Sequence, residues 1–385
     1  LEEERSTPRV WMVPLTGGDA VPLTTEGASA SSPGWSPDGR LLTFLATRDS
    51  GRSQVWALDR RGGEAFALTD VKQGVNGYEW SPDGTRLLLT IRDPEEEDEE
   101  RKEDAPRDPW VIDRLEFKRD GAGYITGERR THLWVYHLAS RDLKQLTTGR
   151  WDEGQAAWSP DGRRVAFVSN RTDDPDTNQN SDIWVVASDL AEPTDAPLRV
   201  TANPGADGNP AWSPDGRSLA YTTVTDVEAI WYATSYLAVI SADGGEPRIL
   251  TRELDRNPSR PRWSDDGSWI WFGLEDSAEN HIVRIRSDGS ALQRPLSGPV
   301  QAGGFDWAGG TFAYAVSTLD RPPEIFALGE IGADGHARTL RRITSHNDAW
   351  LSEVTLGETR NVRFPSADGT EIEGFVCFPP GFREG

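Results

Sequence analysis

At 385 residues the chain could hold two ordinary domains, and its formal net charge of −22 argues against nucleic acid as a partner, because phosphate contact needs a basic stripe. No apolar run approaches the ~18 residues of a transmembrane helix, so no membrane partner is expected. A single cysteine, Cys377, excludes an intrachain disulfide and fits a reducing, cytoplasmic setting.

In chain order the first predicted element is a half unit, Val10-Trp11-Met12-Val13 running to Leu23-Thr24. A five-residue phrase then begins to recur. Trp-Ser-Pro-Asp-Gly starts at Trp35, Trp80, Trp158 and Trp212; a variant starts at Trp263 and a worn copy at Trp307. The tryptophans are spaced 45, 78, 54, 51 and 44 residues apart, close to the ~40–50 of a β-propeller blade. Proline presets the second turn position and glycine takes the left-handed one, so each phrase predicts a β-hairpin turn. The tryptophans read as packing plates between neighbouring sheets.

Each phrase is followed by a second half: strand, small-residue turn, strand, then an aliphatic residue and Thr or Ser. Copies begin at Val55, Leu133, Ile183, Leu237, Ile282 and Ile325, and end at Thr69, Thr147, Thr201, Thr251, Ser297 and Thr344. With the half unit at Val10 this makes seven second halves against six first halves. Four strands per unit predict an all-β, seven-bladed β-propeller whose first blade is incomplete at the N-terminus. The missing strands are expected to belong before residue 1; completion by a C-terminal strand is the other arrangement. The propeller is assigned residues 1–350.

The long interval between Trp80 and Trp158 carries an insertion at 93–132. It opens with an acidic run from Asp93 through Glu100 that continues to Asp104. The run reads as a solvated loop, or as an electrostatic lure for basic peptides. A strand-turn-strand pattern centred on Asp120-Gly121 follows. Its cations, Arg114, Lys118 and Arg119, are the candidate substrate-binding residues, against the plainer reading of a surface hairpin with snorkelling side chains.

Catalytic motifs are missing. No Gly-x-Ser-x-Gly elbow occurs, and Gly27-Ala28-Ser29-Ala30-Ser31 only half resembles one. His132 and His137 lie five apart on a predicted strand, on opposite faces, so they form no strand-borne ligand pair. Asp173, Asp174 and Asp176 match no cation-binding loop. No phosphate loop is present. No catalytic residue, metal or cofactor is assigned.

After Thr344 the text changes. Two alternating stretches, around Val362-Arg363-Phe364 and Ile372-Glu373-Gly374-Phe375-Val376-Cys377-Phe378, flank Ala367-Asp368-Gly369. They predict a further hairpin with an apolar strand that wants another sheet. Blade phrases, the insertion from Ile112 to Tyr124 and this closing hairpin together resemble the N-terminal propeller of the prolyl oligopeptidase family of serine peptidases, nearest the acylaminoacyl-peptidase branch. The resemblance implies that residues 351–385 are a linker and the first hairpin of an α/β-hydrolase domain. That domain would be the propeller's partner and would carry serine, histidine and aspartate. It also implies that the propeller caps the active site, excludes folded proteins and helps hold one end of a short peptide, with Arg114 pairing a substrate carboxylate. A self-standing, TolB-like interaction propeller is the alternative, and homo-oligomerisation stays open.

Overall fold

The computed structural model describes residues 7–48, 51–94, 111–112, 114–120, 123–125, 129–308 and 311–383. Its described residues are almost entirely strand and turn. A two-stranded sheet, Trp11–Met12 against Val21–Pro22, is followed by four antiparallel sheets of four strands each and by one eight-stranded sheet made of two antiparallel four-stranded halves. Blade two pairs Ala30–Trp35, Leu41–Thr47, Ser53–Asp59 and Phe66–Ala67 in that order. Blade four repeats it with Gly154–Trp158, Arg164–Ser169, Asp182–Ala187 and Leu198–Arg199. Blades three, five, six and seven occupy residues 77–145, 207–249, 258–296 and 301–342. Among the described residues this makes seven blades, the first with two strands, as the repeat count predicts.

The chain divides into two compact units. One comprises Leu23–Leu250 with the segment through Val10; the other comprises Trp11–Pro22 and Thr251–Gly385. In the first, blades two and three share a core of Leu45, Val55, Leu87, Leu89 and Ile91. In the second, a single parallel bridge, Asn280 to Gln301, links blades six and seven. An aromatic cluster around Trp271, Phe305, Trp307 and Phe312 fills the space there, with Trp271 and Phe312 ring centres 4.7 Å apart.

The repeated phrase builds one turn many times. In each full copy the serine hydroxyl donates to the aspartate, at 2.6 Å for Ser36–Asp38 and 2.7 Å for Ser159–Asp161. The same oxygen accepts from a backbone amide five residues on, such as Leu41 N at 2.9 Å. The aspartate accepts a second amide, Arg40 N at 3.0 Å. The glycine sits at φ 66° in blade two and 67° in blade four, where a Cβ would be strained. Asp83 and Asp266 are drawn down to about 2, first by the hydroxyls of Ser81 and Ser264.

Nine residues after each of the first five blade tryptophans stands a fully buried side chain: Phe44, Leu89, Phe167, Tyr221 and Phe272. Each contributes on the order of 1.5–3 kcal/mol by leaving water. The tryptophans tie successive blades together. Trp212 donates its indole N–H to Ala157 O at 3.0 Å, and Trp80 to the Thr43 hydroxyl at 2.9 Å. Arginines close the joint from the preceding blade. Arg86 lies 4.8 Å over Trp158 and donates to Gly162 O at 2.8 Å; Arg164 lies 4.9 Å over Trp212 and donates to Gly216 O at 2.7 Å. Trp35 is different, at 46% exposed.

The threonine that ends a second half has a recurring task. Thr69, Thr147, Thr201 and Thr344 each accept the amide of the third strand, at 2.9, 2.9, 2.9 and 2.8 Å. Each hydroxyl then donates to a buried acceptor: Gln54, Glu153, Asp182 and Glu324. Side chains thus satisfy backbone and buried polar groups in one relay.

Candidate functional site

The predicted hairpin of the insertion is present as Lys118–Arg119 paired with Gly123–Tyr124. Its base is pinned where it leaves and rejoins blade three. Asp93 N donates to Arg130 O at 2.7 Å, Arg130 N returns to the Asp93 carboxylate at 2.9 Å, and Arg129 reaches Asp93 O at 2.9 Å. Further out, Asp176 of blade four accepts the amides of Leu115 and Glu116, the second at 2.9 Å. These two bonds, and then the positive charge of Arg114, hold the Asp176 carboxyl below its ordinary range. Asp176 therefore serves as a backbone anchor.

The three sequence candidates fare differently. Arg114 is half-buried with Asp176 as a charged neighbour. Lys118 is exposed on the hairpin. Arg119 is fixed in the strand by its pairing with Gly123, and its side chain lies outside the described residues, as does the acidic run from residue 95 through 104. No group of three potential metal ligands comes together among the described residues.

Behind the insertion lies a buried ionic network that the sequence reading missed. Glu153 has no exposed side-chain surface. It meets Arg171 at 2.7 Å, His132 Nδ1 at 2.7 Å and the Thr147 hydroxyl at 3.0 Å. His132 faces Asp93 with its other nitrogen at 3.7 Å. Burial works against its protonation, but Glu153 and then Asp93 and Asp152 outweigh that and raise its pKa. Arg171 is packed 5.1 Å from the Trp184 ring and 4.8 Å from Trp151. The sequence carries the network only as Glu153 and Arg171 on either side of Trp158, at the ends of strands that the fold brings together.

In the second unit two adjoining cavities lie beside the exit of the last blade. One, of about 230 Å³, is lined by Val316, Pro322, Phe326 and Leu351 with Arg321 and Glu324; the other, of about 660 Å³, shares Thr318, Arg321 and Leu351 and extends to Leu356 and Glu358. Glu324 is the fastening of this region. It accepts Thr344 Oγ1, His346 N at 3.1 Å and Asn347 N at 2.8 Å, and pairs with Arg342 at 3.2 Å. Burial would raise its pKa; these donors bring it down to about 2. The chain then forms a short helix, Asp348–Glu353, and the closing hairpin, Thr359–Pro365 with Glu371–Cys377. Among the described residues these two strands pair only with each other, and Phe364, Ile372, Phe375 and Val376 are exposed. No histidine ring nitrogen bonds a serine hydroxyl among the described residues.

The described residues form a β-propeller followed by a separate hairpin, and the chain is similar in sequence to a peptidase and in fold to peptidase propellers. No family model matches. The chain is 28% identical to the uncharacterized peptidase YuxL of Bacillus subtilis (strain 168) over 403 aligned positions, covering 98% of this chain and 58% of that one. The acylaminoacyl peptidase of Pyrococcus horikoshii superposes with a TM-score of 0.74 at 18% identity, over 96% of this chain and 53% of that one. The β-propeller domain of the Trilobed protease from Pyrococcus furiosus gives 0.61 at 15% identity, over 90% and 92%. The chain thus spans a little over half the length of the curated relative and of the intact peptidase it matches. These relatives and neighbours are consistent with the prolyl oligopeptidase family, to which the sequence was likened.

Proposed function

We propose that this chain is the propeller half of a serine peptidase of acylaminoacyl-peptidase or oligopeptidase type that acts on short peptides in the cytoplasm. Its part is to cap and gate an active site supplied by an α/β-hydrolase domain, which residues 351–385 begin, and to help hold one end of the peptide. The single observation that carries this reading is an alignment with a peptidase over 98% of the chain, closing hairpin included. The exposed apolar faces of that hairpin support it, because a strand carrying Ile372, Phe375 and Val376 needs a covering layer. Size selection follows from the role: only a short, unfolded substrate passes a cap.

The test is hydrolysis by the longer polypeptide that carries this chain. Blocked short peptides should be cleaved, a folded protein of similar sequence spared, and a serine-directed phosphonate should stop the reaction. Cleavage by residues 1–385 alone, or no peptide cleavage by the longer polypeptide, overturns the reading.

The insertion arm is the part of the propeller we assign to the peptide terminus, through Arg114 with Lys118 and Arg119 alongside. Arginine offers a planar fork to a carboxylate. In the longer polypeptide, Arg114→Ala should reduce the preference for a free-carboxylate peptide over its amide. An unchanged ratio removes Arg114 from the site.

A further inference from the structure

Blades two and four carry the same arginine in different company. The spacing that separates Trp35 from Trp158 also separates Phe44 from Phe167 and Arg48 from Arg171. The pairing of Phe44 with Trp56 and of Phe167 with Trp184 makes the two indoles equivalent as well. Both guanidinium groups stack on that indole, Arg48 at 4.3 Å from the Trp56 ring and Arg171 at 5.1 Å from Trp184. In blade four both donors are satisfied: Arg171 by Glu153 at 2.7 Å, and the Trp184 indole by Ser169 O at 3.1 Å. In blade two the residue equivalent to Glu153 is Ala30, packed with Val10 and Phe44. Arg48 has no hydrogen-bond or ionic partner among the described residues, and Arg48 Nε and Trp56 Nε1 are buried without an acceptor.

The other charged residues at this blade position are all paired. Asp93 faces His132 at 3.7 Å, and Asp276 of blade six meets Arg256 at 2.6 Å and Arg294 at 2.5 Å. A half-buried guanidinium held on an aromatic plate with no anion is an arrangement that awaits one, because the desolvation of the cation is uncompensated. The buried slot of Glu153 is closed in blade two by Ala30, so the acceptor must approach the exposed edge of Arg48.

We propose that Arg48, stacked on Trp56, binds a carboxylate of a short peptide. The position is the blade-two counterpart of Asp93, from which the insertion leaves blade three. The choice of a peptide as the bearer rests on the proposed function; the anion site itself rests on the geometry.

The experiment is titration of the chain by calorimetry with three probes: N-acetyl-trialanine as free acid, its amide, and an amide in which the last alanine is glutamate. We expect the free acid to bind about tenfold tighter than the amide, the scale of one charge-assisted fork. In Arg48→Gln the ratio should fall to about one, while Arg48→Lys should keep part of it. Thermal unfolding checks that both variants fold. Tightening by the free acid assigns the C-terminus, and tightening by the glutamate amide alone assigns an acidic side chain. Equal binding of all three, or a ratio that survives Arg48→Gln, overturns the proposal. Because the readout is binding to this chain, a longer polypeptide that cleaves nothing refutes the proposed function without touching this result. Cleavage with discrimination intact in Arg48→Gln refutes this inference alone.

Discussion

Blades two and four share strand pattern, turn and stacked arginine, yet one has a carboxylate in its core and the other an alanine. In blade four, Glu153 satisfies Arg171, His132 and Thr147 at once. In blade two, Ala30 offers no side-chain acceptor and no group takes over the arginine, while Gln54, accepting from Thr69 at 2.8 Å, fills the place of Asp182, which accepts from Thr201 in blade four. The difference teaches that the repeat conserves backbone satisfaction in both blades, while the outer charge is closed internally in one and left open in the other.

The comparison can be broken most forcefully at its ionic centre. Glu153→Ala, which gives blade four the blade-two residue, should cost about 3–5 kcal/mol, because Arg171 and His132 are left buried without their anion. Urea unfolding measures it, and a loss under ~1 kcal/mol would mean the network is idle. Arg164→Leu likewise installs the blade-two residue, since Leu41 holds that place. It should cost about 1–2 kcal/mol by removing both the cover on Trp212 and the bond to Gly216. Arg48→Met should cost no more than about 1 kcal/mol, the stacking alone. A loss matching that of Arg171→Met would erase the asymmetry.

The smallest effects should come from what the blades share. Depressed aspartate pKa values mean stability that is fully present above the ordinary value and is lost as pH falls through the folded one. For Asp83 and Asp266 that window runs from near 3.8 down to about 2. Asp38→Asn and Asp161→Asn should therefore each flatten the acid limb of a stability profile slightly and alike. His132 has the opposite sign. Its raised pKa gives stability present below pH ~6.5 and lost as pH rises through the folded value. Replacing it with Gln should remove that alkaline loss.

Much of this was legible beforehand. Turn chemistry and tryptophan spacing gave the blade count, and alternation around Ala367-Asp368-Gly369 gave the closing hairpin. The ionic network was not, because Glu153 and Arg171 lie on different strands and only the sheet brings them together. Nor were the bulges on the first strands. Ser32, Gln155, Asn209 and Arg260 all stand three residues before a blade tryptophan and take φ near 50°, although none is glycine. The sheet, and not local propensity, imposes that conformation. The anchoring of Leu115 and Glu116 by Asp176 spans about sixty residues and left no local mark. The blade-two asymmetry, in contrast, is readable once the blades are aligned on their tryptophans: Ala30 stands where blade four carries Glu153.

Cys377, the one thiol in the sequence, stands exposed on the second strand of the closing hairpin. A maleimide dye will therefore label a single known point without any prior mutagenesis. Its brightness or polarity response would report directly whether that strand is bathed in water or covered.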